Sequence, residues 1–516
     1  MAKPTPFFSF TCPSCGAPGH AYSATSVLLV CEYCHSMLER FGGGLEGTGK
    51  KSVLLEDFSP VQLYTTGVFQ GDPFTVIGVL QLQYERGLWK EWYILFADGT
   101  SGWLGDFSGQ YVITHEATNF PPLPPFKNLE AGQTTIALNK ARYMACDIRE
   151  AASLKAYARG ELPFTLKDNE RVLSADFRHR NLFITLDYSD NENEPKAYHG
   201  KMVSLDNLRC QNLRADEQIK ASAGHLKGER TSLNCPQCGA PLAWYPGVAQ
   251  NIICQNCHSH INFDSGQAML TKLYKRRQAQ ADNASLKLGE VAHILGDPWT
   301  IIGLVRIQEL DPGIALNRIK KKSSKKVYEN AYWHEYLLYN VKKGFCWLVE
   351  SSDGSWDFSH APQTWPELRG SQCIDPATNK PLNRLYDYGG EVIYAAGAFY
   401  WNLEPGDTSY YQDFHLSNGK LCAELTTEEL NWSISKPVTG EELAKWFKRP
   451  ELAKIVNEKS KGHPNPTLGW IMFGVYLLLN APVFFLGGEG GMVVLFIVSY
   501  VVYWLMIGIY QPKDDD

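Results

Sequence analysis

Eight of the chain's thirteen cysteines fall into one pattern that is used twice. Cys12-Pro13-Ser14-Cys15-Gly16 leads to Cys31-Glu32-Tyr33-Cys34-His35, and Cys235-Pro236-Gln237-Cys238-Gly239 leads to Cys254-Gln255-Asn256-Cys257-His258. Both read C-x2-C-x15-C-x2-C, and each cysteine recurs 223 residues later (Cys12 to Cys235). Two residues between cysteines let a tight turn aim both sulfurs at one ion. The glycine after the second cysteine suits such a turn. Each block therefore predicts a zinc ribbon, with Cys12, Cys15, Cys31 and Cys34 holding one structural Zn2+ and Cys235, Cys238, Cys254 and Cys257 a second. Four thiolates leave no open position for water, which argues against a catalytic zinc. Two disulfides per block are the alternative, and they suit an oxidising compartment. A ribbon of about 30 residues needs a staple of this kind, because it buries too little apolar surface alone.

The spacing of the rest predicts a mainly β chain organised around that duplication. Gly71-Asp72-Pro73-Phe74-Thr75-Val76-Ile77-Gly78 recurs as Gly296-Asp297-Pro298-Trp299-Thr300-Ile301-Ile302-Gly303. Trp89-Lys90-Glu91-Trp92 recurs as Trp333-His334-Glu335-Tyr336, and Gly102-Trp103-Leu104 as Cys346-Trp347-Leu348. Farther on, Ala175-Asp176-Phe177 and Leu182 to Leu186 are echoed by Gln412-Asp413-Phe414 and Leu421 to Leu425. Short apolar runs between turn signals, in a chain of 12% aromatic content, point to small barrels or sandwiches. The expected domains are a ribbon at 8–41, a β module at 54–215 in two sub-segments (54–118 and 129–215), a second ribbon at 231–264 and a second module at 285–436. Gly42 to Gly49 reads as a flexible connector, and the proline-rich stretch 119–128 as a stiff linker. Asp190 to Glu194 reads as an exposed hairpin tip. A basic insert, Arg318 with Lys320, Lys321, Lys322, Lys325 and Lys326, reads as a solvated hairpin. Contact with anionic lipid headgroups comes next for it, and nucleic acid last, given the net charge of −6.

These motifs resemble the bacterial domain of unknown function 4178 family, in two tandem copies at roughly 55–215 and 285–435, each with its knuckle pair in front. The second copy departs from the first at Tyr336, in place of a Trp, and at Cys346, in place of a Gly. The resemblance implies a membrane-associated accessory role, linked to membrane stress or polyamines. It carries over no catalytic residue.

The end of the chain adds an anchor. An amphipathic juxtamembrane helix is expected at 441–461, kinked or split at Pro450. Leu468 to Leu486 and Met492 to Tyr510 are apolar runs of 19 residues. At about 1.5 Å per residue each spans roughly 28 Å, the thickness of a bilayer core. A turn, Gly487 to Gly491, joins them, so the pair reads as a transmembrane hairpin. Met1 to Phe10 has no apolar run of signal-peptide length. Lys454, Lys459, Lys461 and Lys513 flank the hairpin, and the turn has no Lys or Arg. This puts both ends, with the large amino-terminal region, in the cytoplasm of a bacterial inner membrane. Reduced thiolates suit that location.

Glu91 and Glu335 recur between aromatics and are the remaining candidates. They read either as ligands in an aromatic groove or as carboxylates that accept bonds from the neighbouring hairpin. His35 and His258 follow saturated cysteine sets and read as surface groups or partners of the ligands. There is no nucleophile elbow, phosphate-binding loop, HExxH or paired-carboxylate spacing. The expected function is a non-catalytic, inner-membrane-anchored scaffold or adaptor for a cytoplasmic protein partner. The alternatives are a small-molecule receptor or enzyme using the aromatic groove, and a nucleic-acid-binding zinc-ribbon protein.

Overall fold

The computed structural model describes residues 5–41, 44–54, 59–84, 87–107, 110–151, 155–166, 171–223, 230–245, 248–249, 251–264, 267–272, 284–321, 328–341, 343–369, 372–401 and 403–454. The two expected membrane spans, Leu468 to Leu486 and Met492 to Tyr510, lie outside the described residues, as does the end of the juxtamembrane segment. Among the described residues no helix is long and apolar enough to cross a membrane.

The first half is built from β1 (Leu28–Val30), β2 (Ser36–Phe41), β3 (Gly44–Lys51), β4 (Asp72–Tyr84), β5 (Gly87–Phe96), β6 (Ser101–Phe107), β7 (Gln110–Glu116), β8 (Thr135–Leu138), β9 (Ala141–Ala151), β10 (Lys155–Leu162), β11 (Val172–His179), β12 (Leu182–Asp187) and β13 (Lys196–Val203). They pair in the order β8-β9-β11-β12-β13-β7-β6-β5-β4-β10-β1-β2-β3. Consecutive segments β9 and β10 face different neighbours: β9 pairs with β11, and β10 with β4. The sheet therefore returns on itself. Strands of both expected sub-segments interleave in one ring, through the β7–β13 and β4–β10 ladders.

The second half contains β14 (Asn251–Ile253), β15 (His260–Asp264), β16 (Gln267–Lys272), β17 (Asp297–Leu310), α1 (Pro312–Ile319), β18 (Tyr328–Asn340), β19 (Gly344–Ser351), β20 (Trp356–His360), β21 (Arg384–Phe399), β22 (Thr408–Leu416), β23 (Gly419–Leu425) and β24 (Leu430–Pro437). Their order is β16-β15-β14-β21-β22-β23-β24-β20-β19-β18-β17, and β21 also pairs with β17. That last ladder closes a barrel of eight strands, β17 to β24. Here one 16-residue strand, β21, does the work that β9 and β10 divide between them.

The two rings share their register. Val79 faces Trp92 and Leu80 faces Glu91, while Leu304 faces Tyr336 and Val305 faces Glu335. A bulge interrupts the ladder at Val76/Gly78 and again at Ile301/Gly303. Gly160 pairs with Gly78, and Gly397 with Gly303. The crossing is so close that glycine is required. A Cβ on Gly78 would lie 1.8 Å from the Glu161 carbonyl oxygen, and one on Gly397, whose φ is +101°, 2.3 Å from that of Ile302. One residue beyond the crossing the same strand takes up the ribbon: Glu161 pairs with Leu29, and Ala398 with Ile252.

Burial identifies the interior. In the second barrel Val305, Ile307, Trp333, Leu337, Val392, Tyr411 and Cys422, from five different strands, form one cluster with Cys235, Ile252, Cys254 and Ile261 of the ribbon. The ribbon thus packs on the barrel's own core. In the first ring Ile77, Leu80, Tyr93 and Ala158 likewise join Tyr22, Leu28, Val30 and Met37. Each large apolar side chain buried in this way contributes roughly 1.5–3 kcal/mol.

Three expectations change. Gly44–Lys51 is not a loose connector but strand β3, hydrogen-bonded to β2. The proline-rich stretch is not a free linker, because Phe120, Leu123 and Phe126 pack on the Phe177/Ile184 cluster and the Tyr188 hydroxyl donates to the Pro124 carbonyl at 2.7 Å. Its aromatics, which a proline count overlooks, hold it down. The start of the basic insert is not a hairpin but α1, capped by Asp311, whose side chain accepts from the Gly313 and Ile314 amides. Lys322, Lys325 and Lys326 lie outside the described residues.

Among the described residues, Ser351–Trp356 and Val438–Lys454 belong to a second compact unit. Its helix α2 (Gly440–Phe447) opens with a capping box between Thr439 and Glu442. It stops at Lys448, which adopts a left-handed backbone two residues before Pro450.

Candidate metal centres and the acidic barrel interior

Each ribbon brings its four sulfurs together with the same turn hydrogen bonds. The Gly16 amide donates to the Cys12 carbonyl and the His35 amide to that of Cys31; Gly239 and His258 do the same toward Cys235 and Cys254. His35 and His258 have φ of 57° and 58°, the left-handed turn position, so their backbone and not their rings shapes the knuckle. The His258 ring lies edge-on to Tyr394.

All eight cysteines are free thiols, and within each set of four the sulfurs lie within 4.8 Å of one another. Cys12–Cys34 and Cys15–Cys31 are 3.8 Å apart, as is Cys238–Cys254, and Cys235–Cys257 is 3.6 Å. A tetrahedral ion with metal–sulfur bonds of about 2.3 Å sets an edge of about 3.8 Å. A disulfide needs about 2.05 Å. The residues thus fit two four-sulfur metal sites, and each could bind an ion. One sulfur of each set is exposed (Cys15, Cys238) and two are buried (Cys12 and Cys31; Cys235 and Cys254).

Other groups tie the first ribbon to its barrel. Glu161, 2% exposed, accepts from the Tyr22 amide at 2.7 Å, the Ser23 amide at 3.2 Å and the Ser26 hydroxyl at 2.6 Å. The Tyr64 hydroxyl donates to Glu32, inside the second CxxC, at 2.5 Å. Ala398 stands at the position of Glu161 in the second half, so this pin is used once.

Glu335 and its surroundings form the other candidate. The Trp333 indole N–H donates to Glu335 Oε1 at 2.8 Å, and the Tyr411 hydroxyl to Glu424 Oε1 at 3.0 Å. The rings of Trp333, Tyr388 and Tyr411 meet at 4.9–5.7 Å between centroids. Burial, followed by the charge of Glu424, raises the Glu335 carboxyl to about 7. Burial raises Glu424 too. The two carboxyls therefore resist ionising together. The first ring repeats the theme. Burial and then the charges of Asp187, Glu116 and Glu91 push the Tyr198 phenol up. Asp187 holds the ladder position that Glu424 holds in the second barrel, opposite Ser174 and Tyr411 respectively.

The sequence singled out Glu91 and Glu335 but neither Glu424, whose charge acts on Glu335, nor Asp187 at the matching ladder position. The shared ladder position was the signal that could have found them. The insert's Arg318 is engaged in an ion pair with Glu391 and a 3.2 Å hydrogen bond to the Thr408 hydroxyl. Asp190 pairs with Lys196 at 2.5 Å and Glu192 with Arg171 at 2.8 Å, as a hairpin-tip reading expects.

No curated protein and no solved structure matches the chain. Residues 62–205, which hold strands β4 to β13, match the family model described as Domain of unknown function (DUF4178).

Proposed function

We propose that the chain is a non-catalytic scaffold or adaptor anchored in a bacterial inner membrane, with two zinc-stabilised β-barrel modules in the cytoplasm. The two modules are tandem copies of one domain, each preceded by its own zinc knuckle. The observation that carries this reading is the shared register: ribbon, glycine crossing and adjoining barrel ladder coincide from Glu161 and Ala398 back to Tyr157 and Tyr394. All-sulfur tetrahedral geometry favours zinc, and a closed four-thiolate shell suits a structural role. The ribbons then act as rigid footings for the barrels, and the hairpin at 468–510 keeps both at the membrane, where tethering raises the local concentration for a protein partner.

Alkaline carbonate extraction of membranes tests the anchor. The full chain is expected to stay in the pellet, and a chain ending at residue 460 to be released. Release of the full chain by carbonate would overturn the anchored reading.

One observation favours a second reading, a small-molecule receptor. The paired carboxyls Glu335 and Glu424 lie against an aromatic cluster inside a closed barrel, and barrels of this strand number hold one small ligand in several folds. A thermal shift with a small amine, abolished by Glu335→Gln, would support that reading. An unshifted wild-type chain across an amine panel would remove it.

A further inference from the structure

A cleft outside both barrel interiors holds a buried cation that no carboxylate among the described residues pairs with. Arg178, on β11, is 7% exposed. Its Nε donates to the Arg180 carbonyl at 3.2 Å and one terminal nitrogen to the Gln363 carbonyl at 3.0 Å. Its guanidinium lies 4.5 Å from the Trp365 ring centroid. A guanidinium has five N–H donors, so these bonds leave about three for other acceptors. Burial lowers its pKa to about 10, opposed by the neighbouring Cys146 thiol.

A buried charge without a partner is costly, and folds seldom keep one without use for it. The cleft beside Arg178 is also lined by Arg142, His179, Glu367, Trp365 and Trp432. Arg142 is exposed; its Nε reaches the Thr135 hydroxyl at 3.3 Å, and its carbonyl oxygen lies 3.1 Å from His179 Nδ1. Glu367 does not neutralise Arg178. It is held by Arg369 through two bonds of 2.9 Å, with Arg180 at 3.9 Å. The cleft thus holds two guanidinium groups, Arg142 and Arg178, beside one carboxylate already committed to Arg369 and Arg180. The two indoles make the walls apolar.

We infer that this cleft is an anion site that takes one oxygen of a small oxyanion, phosphate or carboxylate, on the free N–H groups of Arg178, with Arg142 and His179 beside it and the rest of the ligand at the cleft's mouth, since the space within is about one water in size. Arginine's planar fork matches the oxygens of either group. The cleft is lined from both halves: Arg142, Arg178 and His179 come from the first, and Trp365, Glu367 and Trp432 from the second. A bound oxyanion would neutralise the seam between them.

Equilibrium dialysis of the full-length chain in detergent tests this, with labelled inorganic phosphate in one arm, labelled acetate in the other and chloride at matched ionic strength. The expected result is saturable binding of one anion per chain. The arm that binds tighter tells a tetrahedral from a carboxylate ligand. Arg142→Gln is expected to weaken binding at least tenfold, and Arg178→Met to abolish it. Absence of saturable binding in both arms would overturn the proposal. So would wild-type affinity in Arg178→Met or, should that variant fail to fold, in Arg142→Gln, whose exposed side chain is not needed for folding.

Discussion

At the scale of single residues, two kinds of position carry the account. The first is the glycine pair at the crossing of strand, barrel and ribbon. Gly397 has both a left-handed φ and a carbonyl 2.3 Å from any added Cβ. Gly397→Ala should therefore cost about 3 kcal/mol or more, seen as a lower midpoint in chemical denaturation. Gly406, with the same φ of +101° but nothing within 4 Å, is the control, and its alanine variant should lose only about 1 kcal/mol. The second kind is the inward carboxyl. The folded pKa of Glu335, about 7, is raised above its unfolded value near 4.5. A raised acid holds its proton more tightly in the folded state. Its contribution is fully present below the unfolded pKa and is lost as pH rises through the folded one. Stability should therefore fall between pH ~4.5 and ~7, by on the order of 2 kcal/mol from this group. Glu335→Gln should flatten that slope in a series of thermal melts; an unchanged slope would remove Glu335 as its source.

At the scale of elements, the ribbons and the inserted helix are held by different means. Glu161 satisfies three donors of the loop before Cys31. Glu161→Ala should speed metal loss from the first ribbon to a chelator severalfold and leave the second ribbon, which has Ala398 at that place, unchanged. Equal acceleration at both would contradict this assignment. Helix α1 depends on Arg318, whose partner Glu391 is 4% exposed. Arg318→Ala should cost about 2 kcal/mol by removing a cationic partner of that buried carboxylate, and adding Glu391→Gln should recover part of it. These elements also mark how far the sequence could be read. Cysteine spacing located both knuckles, because metal geometry acts over a few residues. Recurrence of Gly71–Gly78 and Trp89–Trp92 located the matching ladders. What stayed hidden was nonlocal. Nothing local says that β9 and β10 share the part that β21 plays alone, or that Phe120 and Phe126 fold a proline-rich stretch onto a core. The charge run from Lys320 concealed the Asp311-capped helix just before it, whose local signal is the cap and not the composition. Asp187 and Glu424 gain meaning only from strand register, and Arg178 only from the carboxylate it lacks.

At the scale of the whole molecule, one plan is carried out twice: four sulfurs gather a small three-stranded sheet, and the strand that leaves the barrel adds to that sheet just past a glycine crossing. The halves then differ, with Glu161 pinning one ribbon, α1 inserted in the other half and a buried acid pair in the second barrel. Everything above the ribbons depends on the sulfur sets being metal sites. Metal content of the purified full-length chain, read by native mass spectrometry beside a thiol count, tests this most directly. The account predicts two zinc ions per chain and no disulfide, with one ion lost in Cys12→Ser and one in Cys238→Ser. A folded chain that carries no metal, or whose ribbon cysteines are joined as disulfides, would contradict it.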